Sequence, residues 1–150
     1  MDTVYELNQV ARILISLVAI ALIVGPAKAD FNATHATNPL WTPHARFHVV
    51  WQVLHNSCIS LVVLYLLWSP SPAYFTHLYL AAVLNYLWGA NFVLTIIAMP
   101  SFGGSLADVN GIKPFRFRIS QREYLVDTNV FGCIILMSLN TAGVFLISAP

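Results

Sequence analysis

Four of the five histidines of the chain lie in one short window at the start of its second apolar stretch. The ionisable residues of this window are Asp30, His35, His44, Arg46, His48 and His55. Imidazole is the commonest metal ligand in proteins and also ligates haem iron. Ionisable groups are costly to carry into a bilayer, so such a cluster beside a membrane helix indicates a functional site.

The composition is that of a membrane protein. Of the 150 residues, 58% are hydrophobic and only 9% are charged, whereas soluble domains carry roughly a quarter of charged residues. The net charge of +1 provides no field that would recruit nucleic acid, so we expect the lipid bilayer and no nucleic acid as a partner. Cys58 and Cys133 both lie in apolar runs and offer neither a disulfide framework nor a thiolate metal motif.

Four apolar stretches are each long enough to cross the hydrocarbon layer, which takes about 20 residues of helix. They cover residues 10–27, 44–68, 75–99 and 128–148. Because lipid offers the backbone no hydrogen bonds, these stretches must be helical, and their connections predict an all-α, up-down-up-down four-helix bundle. The whole chain, 1–150, is then a single transmembrane domain. Gly25-Pro26 and Pro100 predict the ends of the first and third helices.

The first apolar stretch has a competing interpretation as an export signal, because Ala27-Lys28-Ala29 after it imitates a cleavage site. The residues before the stretch include Asp2 and Glu6, which is the wrong charge for such a signal. We therefore expect a retained helix.

The basic residues predict the orientation in the membrane. All lysines and arginines except Arg12 lie in or beside the two long loops that follow the first and third spans. Because positive loops stay in the cytoplasm, the long loops are expected there.

Helical spacing predicts one polar face on the second span, which carries His44, His48, either Trp51 or Gln52, and His55, with Asn56 beside it. His44 and His48 are four residues apart and could hold zinc or non-haem iron, with Asp30 or His35 from the loop completing the ligand set. Alternatively, one histidine ligates a haem iron. A third possibility is that these groups only make hydrogen bonds between packed helices.

The third span and the connection after it carry further polar candidates. Within the span these are Asn85, Tyr86, Trp88 and Asn91, and asparagine in lipid must face protein. The connection 100–127 is unusually long for a small bundle, which indicates a function. Its run Phe115-Arg116-Phe117-Arg118-Ile119 alternates apolar and basic residues, which favours a segment on the membrane surface, either a lid or a plain interfacial stretch.

Two resemblances follow from these motifs. The run Asp30-x-Asn32-x-Thr34-His35-x-x-Asn38-Pro39-x-Trp41-x-x-His44-Ala45-Arg46-Phe47-His48 resembles the signature of a family of small uncharacterised membrane proteins. The run Ala45-Arg46-Phe47-His48, together with Trp88-Gly89-Ala90-Asn91, is similar to the Ala-Arg-x-His and Trp-Ala-Asn elements of bacterial styrene oxide isomerase. That family consists of four-span membrane enzymes that hold haem b between the subunits of a trimer.

The second resemblance implies a homo-oligomer, a trimer by analogy, that binds haem b through His48. It implies an isomerase that opens a small hydrophobic epoxide by Lewis-acid catalysis and a 1,2-shift. The implied cofactor-binding residues are His48, Arg46, Trp51, Trp88, Arg116 and Arg118. The candidate catalytic residues are His55, Asn85, Tyr86 and Asn91, although the family's substrate-side asparagine and tyrosine have no match in register.

Two other functions stay open at this point. One is a zinc or non-haem iron hydrolase or hydratase that uses Asp30, His35, His44 and His48 as ligands. The other is a non-catalytic accessory subunit of a membrane assembly, in which the cluster is a hydrogen-bonded cap.

Overall fold

Four long helices and one small hairpin make up the computed structural model, which describes residues 2–107 and 112–147. The helices are α1 (Asp2–Asp30), α2 (Pro43–Trp68), α3 (Tyr74–Phe102) and α4 (Thr128–Leu146), and the strands are β1 (Phe115–Ile119) and β2 (Arg122–Val126). All four helices are long and apolar enough to cross a membrane. The predicted all-α, four-helix, multi-pass membrane fold is confirmed. The predicted end of the fourth span at 148 lies outside the described residues.

Two helices continue past the prolines that were expected to end them. Helix α1 runs through Pro26 to Asp30, and α3 runs through Pro100 to Phe102. A proline removes one backbone hydrogen bond, and membrane helices tolerate this loss because the rest of the ladder stays intact. The helix end at α3 is instead set by Gly103, whose φ of 65° is the left-handed conformation that glycine adopts without strain.

The hairpin is the element that the sequence does not predict. β1 and β2 pair antiparallel, with Phe115 opposite Val126 and Ile119 opposite Arg122. The alternation in 115–119 indicates a segment on the membrane surface but does not by itself identify a strand. The turn at Ser120-Gln121 lacks the Asn-Gly or Asp-Gly signal of a two-residue hairpin loop, and Ser120 adopts a φ of 55° without it.

Helix α1 makes the most extensive helix contacts of the bundle, with α4 and α2, and a smaller contact with α3. The buried core consists of small and aliphatic side chains: Ala11, Ile15, Ala19, Val63, Leu67, Leu78, Ala81, Ala82 and Ile147. A Cβ added at Gly143 would lie 2.8 Å from Cγ1 of Ile15 and 3.3 Å from the carbonyl oxygen of Ala11. Helices α1 and α4 therefore approach each other closely because position 143 has no side chain.

The two ends of the bundle differ in the size of their connections. We call the end with the α1–α2 loop and the hairpin the loop end, and the end with the short α2–α3 connection the turn end. At the turn end, the guanidinium of Arg12 lies 4.1 Å from the centre of a ring of Trp68. The indole Nε1 of Trp68 donates a hydrogen bond of 2.9 Å to Oγ of Ser16. This contact fixes the end of α2 against α1.

Candidate functional site

The α1–α2 loop is held together by its own hydrogen bonds. The Asn32 amide Nδ2 donates to the carbonyl oxygens of Lys28 and Ala29, at 3.0 and 2.9 Å. Its Oδ1 accepts from the backbone nitrogen and the hydroxyl of Thr34, at 2.8 and 2.6 Å. Helix ends leave carbonyl groups without partners, and Asn32 satisfies two of them for α1. The loop is thus an ordered platform for its ionisable residues.

Asp30 and His35 form the first ionisable pair of the site. His35 Nδ1 lies 3.8 Å from a carboxylate oxygen of Asp30, and each side chain is 23% exposed. The same nitrogen lies 2.7 Å from the Thr34 hydroxyl, and the imidazole packs edge-on against Trp41 with ring centres 5.2 Å apart. Because several neighbours fix it, His35 is a rigid part of the loop.

His44 and His48 form the second pair, on the first turns of α2. The helix begins with Pro43 at its first position, and the Thr42 hydroxyl accepts a hydrogen bond from the backbone nitrogen of Ala45. The two Nε2 atoms lie 3.0 Å apart, and both side chains are exposed. Metal–imidazole bonds of about 2.0–2.1 Å place neighbouring ligand nitrogens on one metal about 3–3.4 Å apart. The spacing of this pair is therefore close to that of two ligands on one ion.

Aromatic rings surround the second pair on the outer surface of the bundle. The ring of Phe47 stacks on His44 with centres 6.2 Å apart, and Trp51 lies 5.8 Å from His48. Phe47 is 60% exposed and Trp51 is 58% exposed. These four side chains form an exposed aromatic surface, which we call the α2 face.

The ligand set expected for a bare metal separates into these two pairs. Asp30 pairs with His35 on the loop, and His44 pairs with His48 on the helix. Within residues 2–107 and 112–147, no group of three or more His, Cys, Asp or Glu side chains could hold a metal ion together. One protomer therefore offers a bare metal two nitrogen ligands at the α2 face.

The candidate catalytic residues occupy two different environments. Asn85 is buried at the centre of the bundle, where its Nδ2 donates to the carbonyl oxygen of Ile15 and to Oδ1 of Asn140, at 3.3 and 3.0 Å. Asn140 in turn donates to the carbonyl oxygen of Ala82 at 3.0 Å. This network connects α1, α3 and α4 and engages both hydrogen-bonding ends of Asn140.

Tyr86 is engaged in a similar way, since its hydroxyl lies 2.7 Å from Oγ1 of Thr141 on α4. Trp88 is half-buried and stacks on Phe92, with ring centres 5.9 Å apart. His55 and Asn91, in contrast, are exposed within α2 and α3. His55 and Asn91 are therefore the candidates with exposed side chains, whereas Tyr86 and Trp88 are half-buried.

The three arginines among the implied cofactor-binding residues are also divided. Arg46 is half-buried near the start of α2. Arg116 and Arg118 are exposed on β1, and Arg116 lies 3.4 Å from a carboxylate oxygen of Glu123 on the neighbouring strand. The strand packs against α4 through Phe115, whose ring centre is 5.1 Å from that of Phe131. The hairpin arginines are thus positioned by α4 rather than by α2.

Two residues that position the site were not among the candidates. Thr34 and Trp41 hold the His35 imidazole from two sides. Trp41 belongs to the Asn38-Pro39-x-Trp41 motif, so the signal was present in the sequence. Thr34 belongs to the same signature run, but its contact with His35 depends on the turn that Asn32 stabilises, which the sequence does not reveal.

Fold and site together define a multi-pass membrane helical bundle with paired histidines at one end. The sequence profile of a family of unknown function, DUF6640, matches residues 14–116. Because the match covers more than half of the chain, the chain belongs to this family. The matched region includes both histidine pairs and ends within β1. No curated protein and no solved structure matches the chain.

Proposed function

We propose that the chain is a haem-dependent membrane isomerase that converts a small hydrophobic epoxide into a carbonyl compound, at a site between copies of the chain. The observation that carries the proposal is the position of His48, whose imidazole is exposed on the α2 face beside Phe47 and Trp51. The similarity of Ala45-Arg46-Phe47-His48 to the haem-binding run of styrene oxide isomerase supports the same assignment.

The polar residues of the spans support a site between subunits. His48 and His55 on α2 and Asn91 on α3 are exposed in the isolated protomer, although they belong to segments that cross the membrane. A polar side chain facing lipid is costly, so residues of this kind face protein or a cavity. A second copy of the chain would cover them, and a trimer is the assembly that the resemblance implies. The long loops then lie in the cytoplasm, as the basic residues predict.

The residues of the α2 face fit a haem group. His48 offers one imidazole as axial ligand, and Phe47 and Trp51 offer flat apolar rings. Arg46 precedes His48 by two residues and could neutralise a propionate. Ligation through Nε2 of His48 requires that the His44 ring turn away from its present contact at 3.0 Å. The exposure of both rings leaves space for this rotation.

When bound, ferric haem supplies a Lewis acid that polarises the carbon–oxygen bond of the epoxide. Isomerisation then moves a hydride between adjacent carbons, with no net gain or loss of atoms or electrons. The protein has to exclude water and orient the substrate. Among the candidate residues, His55 and Asn91 have side chains free to do so, whereas Asn85 and Tyr86 bind α4.

A specific observation also favours a second candidate, a bare metal site at the same face. The 3.0 Å separation of the His44 and His48 Nε2 atoms suits two ligands of one zinc or iron ion. In this case the remaining ligands come from water, substrate or a second copy. The chain would then be a hydrolase or hydratase acting on a hydrophobic substrate.

An absorption spectrum of the detergent-purified protein tests both candidates, with metal content measured on the same sample. For the haem enzyme, we expect a Soret band that His48→Ala abolishes and His44→Ala retains, together with conversion of an aryl epoxide to an aldehyde. For the bare metal site, both substitutions should remove stoichiometric zinc or iron from a protein without a Soret band. Wild-type protein from haem-replete cells that contains neither haem nor metal would refute both.

A further inference from the structure

The hairpin is an amphipathic ribbon that extends beyond the helical bundle. We define the ribbon as residues 112–126. In an antiparallel pair, partner residues lie on the same face and successive residues alternate. One face therefore carries Phe115, Phe117, Ile119, Arg122, Tyr124 and Val126, and the opposite face carries Arg116, Arg118, Glu123 and Leu125. The first face is almost entirely apolar, and the second is mainly charged.

The ribbon has more cations than it can pair internally. Its basic residues are Lys113, Arg116, Arg118 and Arg122, and its single acidic residue is Glu123. Arg116 forms the ion pair with Glu123, at 3.4 Å and largely exposed. Among residues 2–107 and 112–147, the structure gives no ion-pair partner to the other three. Within the part of the chain that the structure describes, the ribbon thus presents positive charge that no carboxylate neutralises.

The apolar face is only partly covered by the bundle. At its base, Phe115 and Phe117 pack against Phe131 in the first turn of α4, with ring centres 5.1 and 6.2 Å apart. Towards the tip, Ile119 is 67% exposed and Tyr124 is 46% exposed. Uncovered apolar groups at such a position mark an interaction surface. Since Phe131 lies at the end of a membrane-crossing helix, this surface begins at the membrane boundary.

We propose that the ribbon binds the surface of an anionic phospholipid bilayer. Its apolar face rests at the boundary between headgroups and acyl chains. Arg122 on that face and Lys113 at the base of the ribbon bind lipid phosphates, while the opposite face, with Arg118, faces water. Arginine and lysine can lay their apolar stems along such a surface and keep the charged group at headgroup level. Negative lipids attract basic segments close to the membrane, and each basic residue strengthens binding about fivefold.

The dimensions of the ribbon favour this placement over a free position in water. Five paired residues at about 3.4 Å each give a length of about 17 Å. The headgroup region on one side of a bilayer is only about 5–8 Å thick. An upright ribbon would therefore carry Ile119 well into water, whereas a ribbon lying flat buries it. The inference stands on the hairpin alone and does not depend on the proposed function.

Fluorescence quenching in nanodiscs tests the proposal on the full chain. A fluorophore is attached at Gln121→Cys, in the turn of the hairpin, in a Cys58→Ser background that removes the exposed native thiol. The quencher is carried by the lipid, and the discs contain either phosphatidylcholine alone or phosphatidylcholine with phosphatidylglycerol. We expect strong quenching in the anionic discs and much weaker quenching in the neutral discs. A label at Pro72→Cys, in the exposed turn-end connection, should be quenched equally in both.

Charge substitutions then distinguish binding to lipid phosphates from docking against another protein. Lys113→Gln with Arg122→Gln should weaken ribbon binding about 25-fold, since each charge accounts for about fivefold. Arg116→Gln with Arg118→Gln is the matched control, and its effect should be well below about 25-fold, because both side chains lie on the opposite face of the ribbon and Arg116 already pairs with Glu123. Equal quenching in neutral and anionic discs would overturn the proposal. Quenching that Lys113→Gln with Arg122→Gln leaves unchanged would also overturn it. So would a label at position 121 that the lipid quencher cannot reach because another protein covers it.

Discussion

The Asn85–Asn140 network allows the structural and the catalytic roles of Asn85 to be separated. Asn85→Ala removes two hydrogen bonds, to Ile15 and to Asn140, and Asn140→Ala removes the same shared bond and the bond to Ala82. Interhelical hydrogen bonds in membranes contribute about 0.6 kcal/mol on average and about 1.7 kcal/mol at most. Two such bonds, with about 1 kcal/mol for lost packing, predict a loss of about 2 kcal/mol for each variant.

The double variant measures the bond that the two residues share. Because that bond is lost only once, the double substitution should cost less than the sum of the two single substitutions, by about 0.6–1.7 kcal/mol. The assay is reversible unfolding in mixed micelles of mild detergent and dodecyl sulfate, followed by helical circular dichroism. Ser138→Ala on the exposed side of α4 is the control, since its hydroxyl bonds only to the carbonyl of Ile134 in its own helix.

Two results would refute this reasoning. Additivity of the two alanine substitutions within about 0.3 kcal/mol is the behaviour of residues that do not touch, and it would contradict the shared bond. Unchanged stability of Asn85→Ala together with a large loss of isomerase turnover would instead identify Asn85 as a residue that acts on substrate.

Two further predictions concern helix contacts and use the same unfolding assay. Gly143→Ala should destabilise the bundle by about 1–3 kcal/mol, because the added methyl meets Ile15 and Ala11. Its control, Gly132→Ala on the same helix, meets no atom within 4 Å and should be neutral or stabilising by up to about 1 kcal/mol; equal effects at both positions would contradict the close approach of α1 and α4. Trp68→Phe should cost about 1 kcal/mol by removing the indole hydrogen bond to Ser16, and Trp68→Leu should cost more, since it also removes the ring under Arg12. Equal losses for the two Trp68 variants would show that the Arg12 contact contributes nothing.

The length of the apolar stretches made the helices predictable from the sequence. The four predicted spans agree with α1–α4 because a membrane helix needs only an uninterrupted apolar stretch of the right length. The predicted helix ends at Pro26 and Pro100 were wrong. A proline usually ends a helix, but in lipid the backbone has no other hydrogen-bond partners, so the helix continues past it. The hairpin was not predictable because its pairing depends on β2 and on a turn without glycine. In the sequence of β2, polar and apolar residues alternate only weakly.

The histidine site was predictable in its parts but not in its arrangement. Helical spacing placed His44 and His48 on one face, and the structure brings their Nε2 atoms to 3.0 Å. The division of the four expected ligands into two pairs was not predictable, because it depends on how Asn32 and Thr34 fold the loop around His35. Likewise, spacing alone cannot distinguish the buried Asn85 from the exposed Asn91, since that difference arises from where α4 packs on α3.

The position of Arg12 has a consequence for the electrical polarity of the bundle. It is the only lysine or arginine of the chain outside the loop-end group, and its guanidinium lies over Trp68 while donating to Gln9 at 3.2 Å. A guanidinium held by these contacts is not free to bind lipid phosphates. Positive charge free to bind phosphate is therefore presented to the leaflet at the loop end, so a protomer inserted in the opposite orientation would present it to the other leaflet.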